Sequence, residues 1–214
     1  MRKLLIIAGL AAALALPVIA AEGVRFPPIQ PDKFSLQQKQ FAELLAKSPR
    51  NGNVNNPPFK VYFRSPEFGL HAIGMSDYLR WGTGFDPRQT ELVILLSARQ
   101  WGSGYIWHAH YAAAMKAGMD AKIPAAIAAG RRPEGMKDDE AVLYDLLAET
   151  YRDHAISDAT YQRAVQRFGE KGVTDAIGLA GYYGITAMAL IAAKATYPEG
   201  NEPKLQTLAQ VFPK

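Results

Sequence analysis

The sequence predicts a single all-α domain, and three observations carry that expectation. Apolar residues recur at three- and four-residue spacing through most of the chain, the period of helices with one buried face. Helix-start signals recur as well. Ser65-Pro66 and Asp86-Pro87 each pair a capping side chain with proline at the first helical position. No stretch alternates apolar and polar residues as a half-buried strand does. The 214 residues are 49% hydrophobic and 21% charged, which suits one sizeable core and argues against large-scale disorder. No internal repeat is visible.

The first twenty residues stand apart. Arg2 and Lys3 precede an apolar run from Leu4 to Leu16, Pro17 breaks it, and Val18-Ile19-Ala20 follows. This three-part pattern predicts a cleavable signal peptide over residues 1–20 and an exported protein, periplasmic or secreted. The run is short for a bilayer span, and no cysteine follows it for lipid attachment, so no stable membrane insertion is expected after cleavage. Pro27, Pro28 and Pro31 mark residues 21–34 as an extended leader. The helical domain is expected over residues 35–200, with a polar tail over 201–214.

Within the domain, Ser35 caps a helix to Lys47 whose apolar stripe is Leu36, Phe41, Leu44 and Leu45. The Asn- and Pro-rich residues 51–58 form a loop. Ser65-Pro66 opens a second helix that runs to about Trp81 and stops at Gly82 or Gly84. Asp86-Pro87 opens a long helix to about Trp101, and Gly102-Ser103-Gly104 breaks it. Ser103 caps the next helix, which ends at Gly118. A short helix spans about Ala121 to Ala129. The amphipathic stretch from Lys137 to His154 aligns Val142, Leu143, Leu146 and Leu147. Ser157-Asp158 starts a helix to Phe168. The last helix, about Thr174 to Thr196, is apolar nearly all round, so it is expected to be the most buried and to leave surface for a second copy.

The chemistry concentrates between Glu91 and Met119. Ser103, Ile106 and His110 fall at i, i+3 and i+7 and share one helix face. His110 on that face is a candidate general acid or base, and Glu91 on the preceding helix can orient it or share its proton. Glu91 also has a plain reading, a carboxylate favoured by the N-terminal end of its helix. His108 lies about 200° round the same helix and points elsewhere, so the two histidines do not form a metal pair on a straight helix. Tyr105, Trp107, Tyr182 and Tyr183 can line a pocket with polar tips or serve as ordinary core. Arg88 and Arg99 can grip a carboxylate, or lie solvated. Ser103 reads most simply as an N-cap, and no Gly-x-Ser-x-Gly elbow suggests a hydrolase.

These residues also carry a family resemblance. Glu91-Leu92-Val93-Ile94-Leu95, Gly102-Ser103-Gly104-Tyr105, Trp107, His110 and Ala117-Gly118 resemble the core of the carboxymuconolactone decarboxylase family, which includes the alkylhydroperoxidase D-like proteins. Asp86-Pro87-Arg88, Ile156-Ser157-Asp158 and Gly181-Tyr182-Tyr183 fall in the order that family shows, so the resemblance covers about Phe41 to Tyr197. It implies an alkylhydroperoxidase D-like helical bundle that assembles as trimers or hexamers. It also implies acid–base chemistry without a cofactor or metal on a small organic acid or lactone. His110 and Glu91 would be catalytic. His108, Tyr105, Trp107, Ser103, Arg88 and Tyr182 would contact substrate.

Two departures bear on activity. The peroxidase branch carries Cys-x-x-Cys-x-x-x-His, and its cysteine positions fall on Ser103 and Ile106. The chain has no cysteine at all, so dithiol peroxide reduction is closed to it. The decarboxylase branch commonly has glutamate where this chain has Ile106. That loss favours, as the alternative to an enzyme, a non-catalytic helical module for ligand binding or assembly. Charge argues against nucleic acid as a partner. The formal net charge of +4 falls to +2 once Arg2 and Lys3 are removed.

Overall fold

The computed structural model describes residues 25–206, all helix and connecting loop, with no strand among them. The expected signal peptide and the end of the tail lie outside the described residues. A single 3₁₀ turn at Pro31–Lys33 leads into eight helices: α1 (Leu36–Lys47), α2 (Phe59–Tyr62), α3 (Pro66–Asp77), α4 (Pro87–Gln100), α5 (Gly104–Lys116), α6 (Lys122–Ala128), α7 (Asp138–Asp153) and α8 (Asp158–Ala192). A π-helical turn, Tyr78–Gly82, extends α3.

Local chemistry sets the boundaries. Ser35 and Gln38 form a reciprocal capping box on α1, and Asp86 and Gln89 do the same on α4. Ser103 and Ser157 cap α5 and α8. At the end of α5, Gly118 sits at φ +81°. The N–H of Met119 bonds the Ala114 carbonyl and that of Gly118 bonds the Met115 carbonyl, which is a Schellman ending. The break expected between Phe168 and Thr174 falls at Gly169, whose φ of +70° and ψ of 168° kink α8 into two arms.

Helix α4 is the axle of the molecule, with α5, α6, α7 and α8 packed around it. Every residue from Arg88 to Arg99 is buried. This corrects the expectation that the last helix is the most buried. On α8, Ile177, Met188 and Ile191 remain 46%, 48% and 59% exposed. Helix α1 packs across α3 at the edge, burying Phe41 and Leu45. Leu36, expected on the same stripe, lies at the helix start and is exposed. On α7, Val142, Leu143, Leu146 and Leu147 all enter the core.

Both ends of the described chain are tied to the bundle. Phe34 of the leader stacks edge-on against Phe63, and Arg25 donates to the Ala192 carbonyl. Residues 202–206, read as loose tail, run back over α5. The indole of Trp107 donates to the Pro203 carbonyl at 2.8 Å, and the backbone N–H of Gln206 donates to that of Ala128.

Candidate active site

Three helices deliver three side chains to one point. The capping box at Asp86 starts α4 so that Glu91 faces inward in its second turn. His110 arrives from the second turn of α5, and Tyr183 from the inner arm of α8. His110 Nδ1 lies 2.7 Å from Glu91 Oε2, and His110 Nε2 lies 3.1 Å from the Tyr183 hydroxyl. The imidazole and phenol rings meet at 90° with centroids 5.1 Å apart. The carboxylate accepts the Nδ1 proton, which fixes the tautomer. Nε2 then holds its lone pair and accepts from Tyr183. Burial pushes the Tyr183 phenol well above its ordinary pKa, so it stays a protonated donor.

Glu91 has a second partner. Its Oε1 lies 3.7 Å from Arg80 Nη2, and Arg80 stacks on the Trp81 ring at 4.4 Å. The π-helical turn carrying Tyr78–Gly82 places Arg80 there. Arg80 Nε is buried and has no hydrogen-bond partner among the described residues.

His110, Tyr183 and Arg80 border a cavity of about 210 Å³. Tyr105, Ile106, Tyr182, Thr186 and Phe59 complete much of its wall, and Arg50 stands at one side. Arg50 is committed to Asp77 at 2.5 Å and to Ser76 at 2.8 Å. The Tyr62 hydroxyl and Thr186 Oγ1 share a hydrogen bond of 3.2 Å. The cavity thus combines an apolar wall, a histidine backed by the buried Glu91 carboxylate with its other nitrogen turned toward a phenol, and a cation with a spare donor. Such a set can exchange a proton with a bound small molecule while holding an anionic group.

Of the residues singled out in the sequence, Glu91, His110, Tyr105, Ile106, Tyr182 and Tyr183 come together here. Five do not, among them Arg99, which borders a separate cavity. Ser103 accepts from the Ile106 backbone N–H as the cap of α5. Trp107 is buried on the far side of α5 under the returning chain. His108, as its helical angle requires, points away and bonds Glu202 at 3.0 Å, with Tyr197 beside its ring. Arg88 turns toward α7, meeting Asp139 at 2.6 Å and Glu140 at 2.7 Å, an architectural role. The two histidines face different carboxylates, and no group of three potential metal ligands forms among the described residues.

Sequence reasoning missed Arg80 entirely and saw Tyr183 only as a lining aromatic. Arg80 carries no motif, because a π-helical turn sets its direction. Tyr183 had one available signal, a polar-tipped ring on the largely apolar inner arm of α8.

Residues 66–139 match the model of the carboxymuconolactone decarboxylase family, a segment running from the start of α3 into α7 that contains both Glu91 and His110. No curated protein and no solved structure matches the chain.

Proposed function

We propose that this chain, which carries a carboxymuconolactone decarboxylase-family domain over residues 66–139, is a cofactor-independent acid–base enzyme for a small carboxylate-bearing lactone or related carbonyl compound. The observation that supports it most is the Glu91–His110–Tyr183 chain of hydrogen bonds at the edge of a cavity. With no cysteine in the sequence, the thiol chemistry of the peroxidase branch is not available.

Substrate enters beside Tyr183 and takes over the contact to His110 Nε2. In isomerisation, Nε2 removes a proton from the carbon next to a carbonyl, the electron pair moves to the carbonyl oxygen, and the imidazolium returns the proton at another carbon. In decarboxylation, the bond to the carboxylate breaks, CO₂ leaves, and the electron pair again forms an enolate. His110, entering as imidazolium, gives its Nε2 proton to the carbon that lost CO₂. Glu91 stabilises the imidazolium through Nδ1 in both cases. The spare Arg80 donor and the protonated tyrosines suit a carboxylate and the enolate oxygen.

One observation favours a second reading. Ile106, where the decarboxylase branch commonly has glutamate, is 2% exposed and lines the cavity as hydrocarbon. A ligand-binding module without turnover fits that change. The two readings separate on His110→Ala. The enzyme loses about 10² to 10⁴ in rate with its helical circular dichroism intact, Glu91→Gln costs less, and His108→Ala costs least. If His110→Ala keeps full turnover, the acid–base reading fails. We further infer export from the N-terminal pattern, and assembly of several copies through the exposed side of α8.

A further inference from the structure

Just over two turns along α4 from Glu91, Arg99 is 7% exposed. Its Nη1 donates to the Gln206 carbonyl at 3.0 Å. Its Nε and Nη2 are buried and find no acceptor among the described residues. A guanidinium has five donors and no means of shedding its charge, so unpaired buried nitrogens are costly unless something supplies an acceptor. Arg99 borders a cavity of about 150 Å³ between α4, α6 and α7 that shares no lining residue with the His110 cavity.

The lining gives the chemistry of the occupant. It contains three arginines, Arg99, Arg131 and Arg152, and neither aspartate nor glutamate. Arg152 is already matched by its neighbour Asp153, which leaves an excess of positive charge. The rest is largely apolar, with Leu96, Ile127 and two tyrosine rings. The Tyr151 hydroxyl is tied to Ser97 Oγ at 3.0 Å, so its ring, not its polar tip, is available. A cavity of this volume holds a benzene-sized body.

We propose that this cavity is a second binding site, one that takes a small organic carboxylate with its anionic end on Arg99 and its apolar body between Leu96, Ile127 and Tyr151. The site is independent of proton transfer at His110.

Isothermal titration of the full chain with benzoate, benzyl alcohol and inorganic phosphate tests it. Benzoate should bind, with benzyl alcohol and phosphate each at least tenfold weaker. Arg99→Met should weaken benzoate at least tenfold. Ala148→Phe, which fills the cavity and leaves Arg99 in place, should do the same, and it decides the matter if Arg99→Met does not fold. His110→Ala should leave the Arg99-dependent benzoate binding unchanged, whatever benzoate the His110 cavity itself takes up. The proposal is overturned if the wild type takes up no benzoate, or if folded Arg99→Met and Ala148→Phe bind it normally. It is equally overturned if His110→Ala abolishes the Arg99-dependent binding, or if phosphate or benzyl alcohol matches benzoate.

Discussion

Glu91 offers a different partner to each of its oxygens, His110 to one and Arg80 to the other. That division lets a single buried carboxylate orient an imidazole without carrying an unpaired charge. Glu91 and His110 were legible in the sequence chiefly through the family resemblance of the residues around them. Spacing placed His110 on the Ser103–Ile106 face, while the position of Glu91 near its helix start fitted a plain macrodipole role equally well. Tyr183 was not, since seventy-three residues separate it from His110 and only the packing of α8 against α5 brings them together. Replacing Tyr183 with Phe keeps the packing and removes one hydrogen bond to Nε2. It should lower turnover about tenfold, the worth of about 1.4 kcal/mol, and move the pH profile of kcat. Unchanged kcat and an unchanged profile would show that the phenol is mere lining.

Among the elements, α4 shows why burial was harder to read than helicity. Composition favoured α8, which is apolar, over α4, which carries Arg88, Gln89, Glu91 and Arg99. Those polar groups are buried because each but Arg99 reaches partners on neighbouring elements that satisfy it. Arg88 is the clearest case, clasping Asp139 and Glu140 at the start of α7. Burial alone would raise the Asp139 pKa, but the hydrogen bonds from Arg88 and Gln89 and the Arg88 charge outweigh it and hold the carboxyl below its usual range. A carboxylate whose folded pKa is depressed stabilises the fold above its unfolded value of about 4. That stabilisation is lost as pH falls through the lower folded value. Arg88→Met leaves Glu140 buried without its cation and Asp139 with only the more distant Arg167 at 3.9 Å, and should cost about 3–5 kcal/mol in urea denaturation at neutral pH. The loss should shrink as the solution is taken below about pH 4, where the stabilisation that Asp139 draws from Arg88 is lost. A change under about 0.5 kcal/mol at neutral pH would show that the clasp contributes no net stability.

At the scale of the whole molecule, α8 turns one apolar stripe outward. Ile177, Met188 and Ile191 fall at i, i+11 and i+14, within about 60° of one another round the helix. With Trp101 and Ile185, two of them, Ile177 and Met188, border a shallow, almost wholly apolar groove. The sequence predicted excess apolar surface on this helix. It could not say which side stays exposed, because that depends on how α4 and α7 pack against it. We propose that this stripe joins copies of the chain, most simply around a threefold axis. Light scattering at micromolar concentration should report an oligomer for the wild type and a monomer for Ile177→Glu with Met188→Glu. A monomeric wild type would contradict it.

The most direct test of acid–base catalysis is isotopic. A carboxylated lactone is incubated with the protein in D₂O, and the product is read by NMR and mass spectrometry. Proton delivery by His110 predicts one deuterium at the carbon that lost CO₂, formed about 10² to 10⁴ times more slowly by His110→Ala. Equal rates of deuterium incorporation in wild type and His110→Ala would contradict it.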